Sequence, residues 1–454
     1  MVTRGSSSGK TKAVAVVNEI AAGIDVGSRE HYVAVGKDRA DNPVRRFGCY
    51  TPDLEEMATW LLECGVSTVA MESTGVYWIP VYQVLRSRGL DVSLVDARSV
   101  KNVPGRKSDV SDCQWLQQLH TFGLLRGCFL PDEEIAPLRE YIRHRGSLIE
   151  SQSREILHLQ KSLEQMNLHV HKVFSDITGV SGMNIVRSIV RGERNAKVLA
   201  GMRAPGVKAS EEEIVKALDG HYQQEHLFVL SQALATYDFV MDRIRECDQQ
   251  IEEYLKRFEN KADPESFVPS PGKPSKRRKN EPHFELDKEL FRITGVDLTS
   301  IDGISNLTAQ TIVGEVGFDL SRFPTEKHFV SWLQVCPNNQ ITGGKVRKRK
   351  SRKCANRVST ALRIAAQSLH SSKTALGAFY RRLRAKLGAP KAITATARKL
   401  ACLVYRMLRF GMAYVDAGQQ HYEQLYREQQ LKRLKAQAEA QGYDLVYRNT
   451  GEVS

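Results

Sequence analysis

Between Gly105 and Leu116 the chain reads GRKSDVSDCQWL, which puts Asp109 and Asp112 three residues apart at a predicted helix start. At that spacing both carboxylates leave one helical face. Two like charges on one face repel each other and add nothing to a core, and a bound divalent cation is the commonest reason for such a pair. Asp and Ser also favour the positive end of a helix, so spacing alone leaves a metal site and a plain helix start equally open. Two acids upstream tip the balance. Asp25 lies inside an apolar run, AAGIDVGS, where a charge is costly unless paired or functional, and Glu72 closes another, VSTVAMEST. Open α/β sheets place their chemistry at the carboxyl ends of adjacent strands. Asp25, Glu72, Asp109 and Asp112 could together hold two magnesium ions about 4 Å apart, which suits phosphodiester chemistry.

The elements that must position these acids follow from short apolar runs. AAGIDVGS, HYVAVG, VSTVAMEST and DVSLVDA read as strands, with amphipathic segments at Leu54 to Cys64 and Ile79 to Arg88. The predicted order is strand, hairpin strand, helix, strand, helix, strand, an α/β domain over residues 19–130. Residues 1–18 are a flexible tail. Their GSSSGKT is no phosphate loop, because Gly5 and Gly9 bracket three residues and no strand precedes them.

Residues 131–262 turn helical. Leu138, Ile142, Arg145, Ile149, Gln152, Ile156, Leu159, Leu163 and Met166 step by three and four, and Leu230, Leu234, Tyr237, Met241, Ile244, Cys247, Ile251, Leu255 and Phe258 form a second seam. The seams predict either two helices packed within one chain or a coiled-coil dimerisation arm. The stretch from Gly179 to Gly220 has no clear pattern. Residues 263–285, containing PSPGKPSKRRKNEP, are a basic linker. A C-terminal, mainly helical domain follows over 286–420, then a charged tail over 421–454. Within that domain IDGISNLTAQTIVGEVG has the look of a helix-hairpin-helix, whose turn would offer N–H groups to a phosphate.

The formal charge of +14 points to a polyanionic partner. From Lys327 to Val415 there is no Asp or Glu, while Lys345, Arg347, Lys348, Arg349, Lys350, Arg352 and Lys353 crowd nine positions and Tyr380, Arg381, Arg382 and Arg384 extend the run. Such a stretch suggests a surface held against phosphates. Its apolar positions Leu362, Ile364, Leu369, Leu400 and Leu403 predict that it folds. Eight cysteines without a close pair argue against a zinc ribbon or disulfide framework, and no apolar run is long enough for a membrane span. A reducing cytoplasm is the expected compartment.

GIDVGS, MESTGVYW and KSDVSDCQWL resemble, in order and spacing, the Asp-Glu-Asp-Asp domain of the insertion-sequence 110 family of transposases, and SWLQVCPNNQITGGKVRKRK with RVSTALRIAAQSL resembles that family's second domain. The resemblance implies a fold like that of ribonuclease H and the Holliday-junction resolvase, with Asp25, Glu72, Asp109 and Asp112 as catalytic metal ligands and Lys107 as the neighbouring basic residue. It implies magnesium, with manganese as substitute, and DNA partners: element ends or a circular donor, and a target. It also implies a guide RNA, a coiled coil joining the domains of a homo-oligomer, dimer or tetramer, and a prokaryotic, nucleoid-associated setting. The family's nucleophile is a serine just before a Gly-Gly turn. Here that position is Thr342. Three outcomes stay open: Thr342 is the nucleophile, Ser351 substitutes, or the enzyme is impaired. Lys345, Arg347 and Arg357 would neutralise phosphates near the reaction. The expected activity is excision and insertion of a mobile element through a covalent link to DNA. The rivals are a junction-resolving nuclease using water and a non-catalytic nucleic-acid-binding derivative.

Overall fold

The computed structural model describes residues 15–95, 109–269, 279–343, 345–350, 356–414, 416 and 418–446; the side chains of 109, 338–341 and 345–350 are outside the description. Lys107, Ser351, Arg352 and Lys353 lie outside the described residues, as do most of the N-terminal tail, 270–278 of the basic linker and the last eight residues. The chain divides into two compact units, Met1–Leu130 and Pro131–Ser454.

The first unit is a five-stranded mixed sheet of order β3-β2-β1-β4-β5, made of β1 (Ala21–Val26), β2 (Glu30–Ala34), β3 (Val44–Gly48), β4 (Thr68–Glu72) and β5 (Asp91–Val95). β1 pairs antiparallel with β2 and parallel with β4. The strand β3 is absent from the sequence expectation. Its VRRFG has two apolar residues flanking two arginines, and it closes the sheet's edge, where only one face needs burying. Period-two alternation gives the two faces different characters. Ala22, Ile24 and Val26 of β1, with Val69 and Met71 of β4, form one core with Met57 and Leu61 of α1 (Thr51–Glu63) and Val81 and Leu85 of α2 (Trp78–Ser87). The other face of these two strands reads Ala21-Gly23-Asp25 and Thr68-Ala70-Glu72, small residues followed by an acid, and α3 (Asp109–Thr121) lies on it.

The second unit is mainly helical. The long α4 (Ile135–Gln165) and α9 (Gln224–Leu255) pack antiparallel: Tyr254 Oη donates to the Glu134 carbonyl, Cys247 Sγ to the Tyr141 carbonyl, and Gln152 Nε2 lies 2.7 Å from Met241 Sδ. The two apolar seams therefore face each other within the chain. The patternless stretch and the short α5 (Val170–Val173) just before it fold as a cap on their far end, with α5, α6 (Val180–Val190), α7 (Ala196–Ala200) and α8 (Glu211–Ala217) sharing a core with Leu159, Leu163, Leu230 and Leu234. Arg145, a polar member of the seam, is buried against Asp248, donating from Nε to its carboxylate and from Nη2 to the Asn280 carbonyl at 2.9 Å.

At the near end α10 (Leu286–Thr294) and α11 (Asn306–Val316) precede α12 (Glu326–Trp332), and a hairpin of β6 (Asn338–Thr342) and β7 (Lys345–Lys350) leads to α13 (Arg357–Ser368), α14 (Ala375–Leu387), α15 (Ala389–Phe410) and α16 (Gly418–Glu439). Gly314 lets α11 approach α4 closely, since a Cβ there would sit 2.6 Å from Ile142 Cδ1. Glu315 beside it is nearly buried and accepts from Arg143 Nε and Nη2, both at 2.8 Å, and from Arg139 Nε at 3.0 Å. Of the apolar positions in the acid-free stretch, Leu362, Leu369 and Leu400 are buried, whereas Ile364 points to solvent. No described helix is long and apolar enough to cross a membrane.

The buried Arg145–Asp248 pair makes a direct prediction. Asp248→Ala leaves an uncompensated cation in the seam and lowers stability by about 3–5 kcal/mol, whereas the double change Arg145→Met/Asp248→Leu recovers most of it. Urea unfolding followed by far-UV dichroism reads both; equal losses in the two variants would remove the charge explanation.

Candidate active site

The site in the first unit is built on a close approach. A Cβ at Gly23 would lie 2.3 Å from the backbone N of Gln117 and 2.4 Å from the carbonyl O of Cys113, so α3 rests directly on the β1 backbone. Its far end is pinned beside the strand starts. His120 Nε2 lies 2.9 Å from Thr68 Oγ1, Asn18 Nδ2 donates to the His120 carbonyl at 2.7 Å, and the Thr121 carbonyl accepts from the N–H of Val17 and Asn18. The N-terminus of α3 consequently points toward the strand ends, where the acids stand.

Asp25 sits one position past the paired Ile24 and Met71, and Glu72 is the next residue of β4, so the parallel register carries the two acids side by side. Both are half-buried, and Asp112 is exposed. Thr74 Oγ1 donates to Glu72 Oε1 at 3.4 Å. The buried thiol of Cys113 reports how the charges converge. Burial is the main reason its pKa is pushed up to about 12, and the nearby carboxylates of Asp25 and Asp112 push in the same direction. Asp109 is the first residue of α3. Among the described residues no three His, Cys, Asp or Glu side chains stand close enough to share an ion, a set that leaves out the Asp109 side chain. The donor chemistry still suits a hard divalent cation: oxygen ligands only, on adjacent strand ends and a facing helix start. A solvent-exposed apolar rim, Val76, Tyr77 and Ile79 after Glu72, borders the acids in sequence and was not legible from periodicity.

In the second unit Thr342 ends β6 and is exposed. It pairs with Lys345 across the two-residue connection Gly343-Gly344, and Gly343 has φ +57, the left-handed conformation that tight hairpins need. The register shifts between Gln340 and Ile341, which pair with Lys348 and Val346, leaving Arg347 as the extra residue of a bulge. Lys348, Arg349 and Lys350 continue β7.

The structure corrects the reading of the acid-free stretch as one phosphate-facing surface. Acids from elsewhere in the chain reach into it: Glu326 to Arg406 at 2.8 Å, Asp319 to Arg409 at 4.0 Å, and Glu315 to Arg357 at 3.9 Å. Tyr380 is buried. Arg381 donates to the Ser372 carbonyl and, at 2.7 Å, to Gln419 Oε1. The helix-hairpin-helix expectation also changes. A single 3-10 turn, Leu298–Ser300, precedes the Asp302-Gly303 turn, and Gly303, at φ +89, packs on the Ala365 carbonyl. Asp302 accepts a hydrogen bond from Thr374 Oγ1 at 2.7 Å, and Ser305 caps α11 through the Thr308 N–H.

Comparison with known proteins accounts for both regions. Residues 22–168 match a family model of a DEDD transposase, so the acid-bearing unit is that of an enzyme of DNA transposition and recombination. Residues 297–381 match the model of the transposase IS116/IS110/IS902 family. The two matches are in order and together span just over half of the chain, which belongs to the IS110 family of transposases. No curated protein matches the chain.

Two outcomes test this geometry. Gly23→Ala pushes α3 off the sheet, lowering stability by about 1–3 kcal/mol; a misplacement of about 1 Å also lowers strand-cleavage rate by about 10²-fold. Unchanged cleavage kinetics would show that α3 need not touch β1. Burial lowers the pKa of both His31 and His120 below the ordinary value of about 6.5. Each therefore binds its proton more readily when unfolded than when folded. Their contribution is fully present above about pH 6.5 and is lost as pH falls through the lowered folded values. The decline in melting temperature below about pH 6.5 is expected to shrink in His120→Gln.

Proposed function

We propose that this transposase excises and inserts a mobile element by strand transfer through a covalent link between Thr342 and DNA, with Asp25, Glu72, Asp109 and Asp112 holding magnesium. The observation that carries this reading is the alignment of Asp25 and Glu72 on adjacent strand ends, with the start of α3 brought over them by Gly23. A divalent cation bound there supplies Lewis acidity and charge neutralisation to phosphodiester oxygens. The chain's own residues do the rest. Asp25 and Glu72 present oxygen donors from a rigid sheet, and Asp112 adds one from α3. The Thr342 hydroxyl oxygen forms a bond to phosphorus as the bond from phosphorus to the departing DNA oxygen breaks; the hydroxyl proton passes to solvent and the departing oxygen takes one up. An incoming DNA hydroxyl then reverses the exchange, so phosphodiester bonds are conserved. Lys345 and Arg347 neutralise the phosphate near Thr342.

The ribonuclease H-like description of the first unit is supported by the strand order and by the position of the acids. We further read a guide RNA as the source of sequence selection, because no helix-turn-helix or zinc module is recognisable in so basic a chain. The α4/α9 hairpin serves as the coiled-coil arm of a homo-oligomer. Leu157, Phe228 and Phe239 on these helices are more than half exposed, a surface suited to a second copy.

A gel assay with magnesium, element DNA and co-purified RNA tests the covalent step. The parent is expected to give a protease-sensitive protein–DNA adduct, Thr342→Ser to retain it, and Thr342→Ala to lose at least about 10³-fold of it. Cleavage that persists without an adduct in Thr342→Ala would leave the carboxylates as a water-using nuclease site.

A further inference from the structure

In the second unit α14 and α16 enclose a cleft of about 350 Å³ lined by Arg381, Arg382, Tyr422, Glu423, Tyr426 and Arg427 among others. That volume lies at the small end of ligand sites, about 300–1,000 Å³. The Arg382 guanidinium stacks over Tyr426, 4.0 Å from its ring centroid, and lies 5.1 Å from the Tyr422 ring. Three arginines meet one carboxylate in the lining, leaving a positive excess. Tyr422 adds an unsatisfied polar group, since its phenol oxygen is buried and has no hydrogen-bond partner among the described residues. Such a group costs stability and calls for an occupant that accepts its proton.

We propose that this cleft binds an unpaired DNA nucleotide, its base stacking on the Tyr426–Arg382 pair, its phosphate meeting Arg427, and an acceptor oxygen taking the Tyr422 hydroxyl. Aromatic rings interleaved with arginines are the chemistry of single-strand binding, which tolerates any base because every base has a π-face. DNA recombination separates strands, so the enzyme's own activity supplies this ligand. No residue of the cleft belongs to the carboxylate site or to the Thr342 hairpin.

The test is the affinity of the full-length protein for a fluorescein-labelled thymidine oligonucleotide, compared with duplex DNA and with a uridine oligoribonucleotide at one salt concentration. Tyr422→Phe keeps the ring and removes the unsatisfied hydroxyl. It is expected to leave the melting temperature unchanged or raised while weakening single-stranded DNA binding by about three- to tenfold. Tyr426→Ala is expected to weaken it by about tenfold or more, with duplex affinity unchanged in both. A raised melting temperature with unaltered single-strand affinity would overturn the proposal and make the cleft a cation–π staple for α16. Equal losses for duplex and single strand would also overturn it, as would a loss confined to RNA.

Discussion

The first unit depends on a contact with nothing in it: the missing side chain of Gly23. Because β1 presents only Ala21 and Gly23 before Asp25 on one face, and β4 only Thr68 and Ala70 before Glu72, the backbone of α3 can settle on the strands themselves. A rigid sheet and a helix in direct backbone contact fix side chains more tightly than loops can. The large apolar residues Ile24, Val26, Val69 and Met71 alternate onto the opposite face, where α1 and α2 supply the ordinary core. One face thus carries the large apolar core, and the other admits the backbone of α3, whose Cys113 and Leu116 are buried, with the carboxylates left at the end of that packed region.

Much of this was legible in the residues. AAGID and TVAME carry the alternation openly, and an acid at the end of each run marks both the face and the end. The KSDVSD helix start was equally legible, since spacing of three on a helix leaves one interpretation of direction. The structure goes further where contacts join distant segments. The role of Gly23 depends on Cys113 and Gln117, about ninety positions away in sequence. The strand β3 escaped because VRRFG spends its arginines on an edge, and Arg45 stacks on Phe47 and Trp60, a partnership no short window reveals. The stretch from Gly179 to Gly220 escaped because α7 and α8 are too short to show a period and its buried residues pack against the ends of α4 and α9.

The basic stretch taught the converse lesson. A run free of acids reads as a surface free of acids only if nothing else folds onto it. Glu315, Asp319 and Glu326 come from just before the run and take up Arg357, Arg409 and Arg406. What remains unneutralised is a narrower set than composition suggests. Its most distinctive members lie on α14, where arginine and tyrosine are interleaved with α16.

The Arg145–Asp248 pair gives the helical hairpin a property that apolar packing alone would not. Seams built only of leucine and isoleucine can slip by a heptad and bury nearly the same area. Here a slip strands a buried guanidinium opposite hydrocarbon, so the register is locked. At a rise of about 1.5 Å per residue, the 31 residues of α4 make a strut of about 45 Å, close to the length of thirteen base pairs of duplex at about 3.4 Å each. A locked strut of that length holds the cap of α5–α8 at one fixed distance from the helices packed at its near end, with no sliding states to average over.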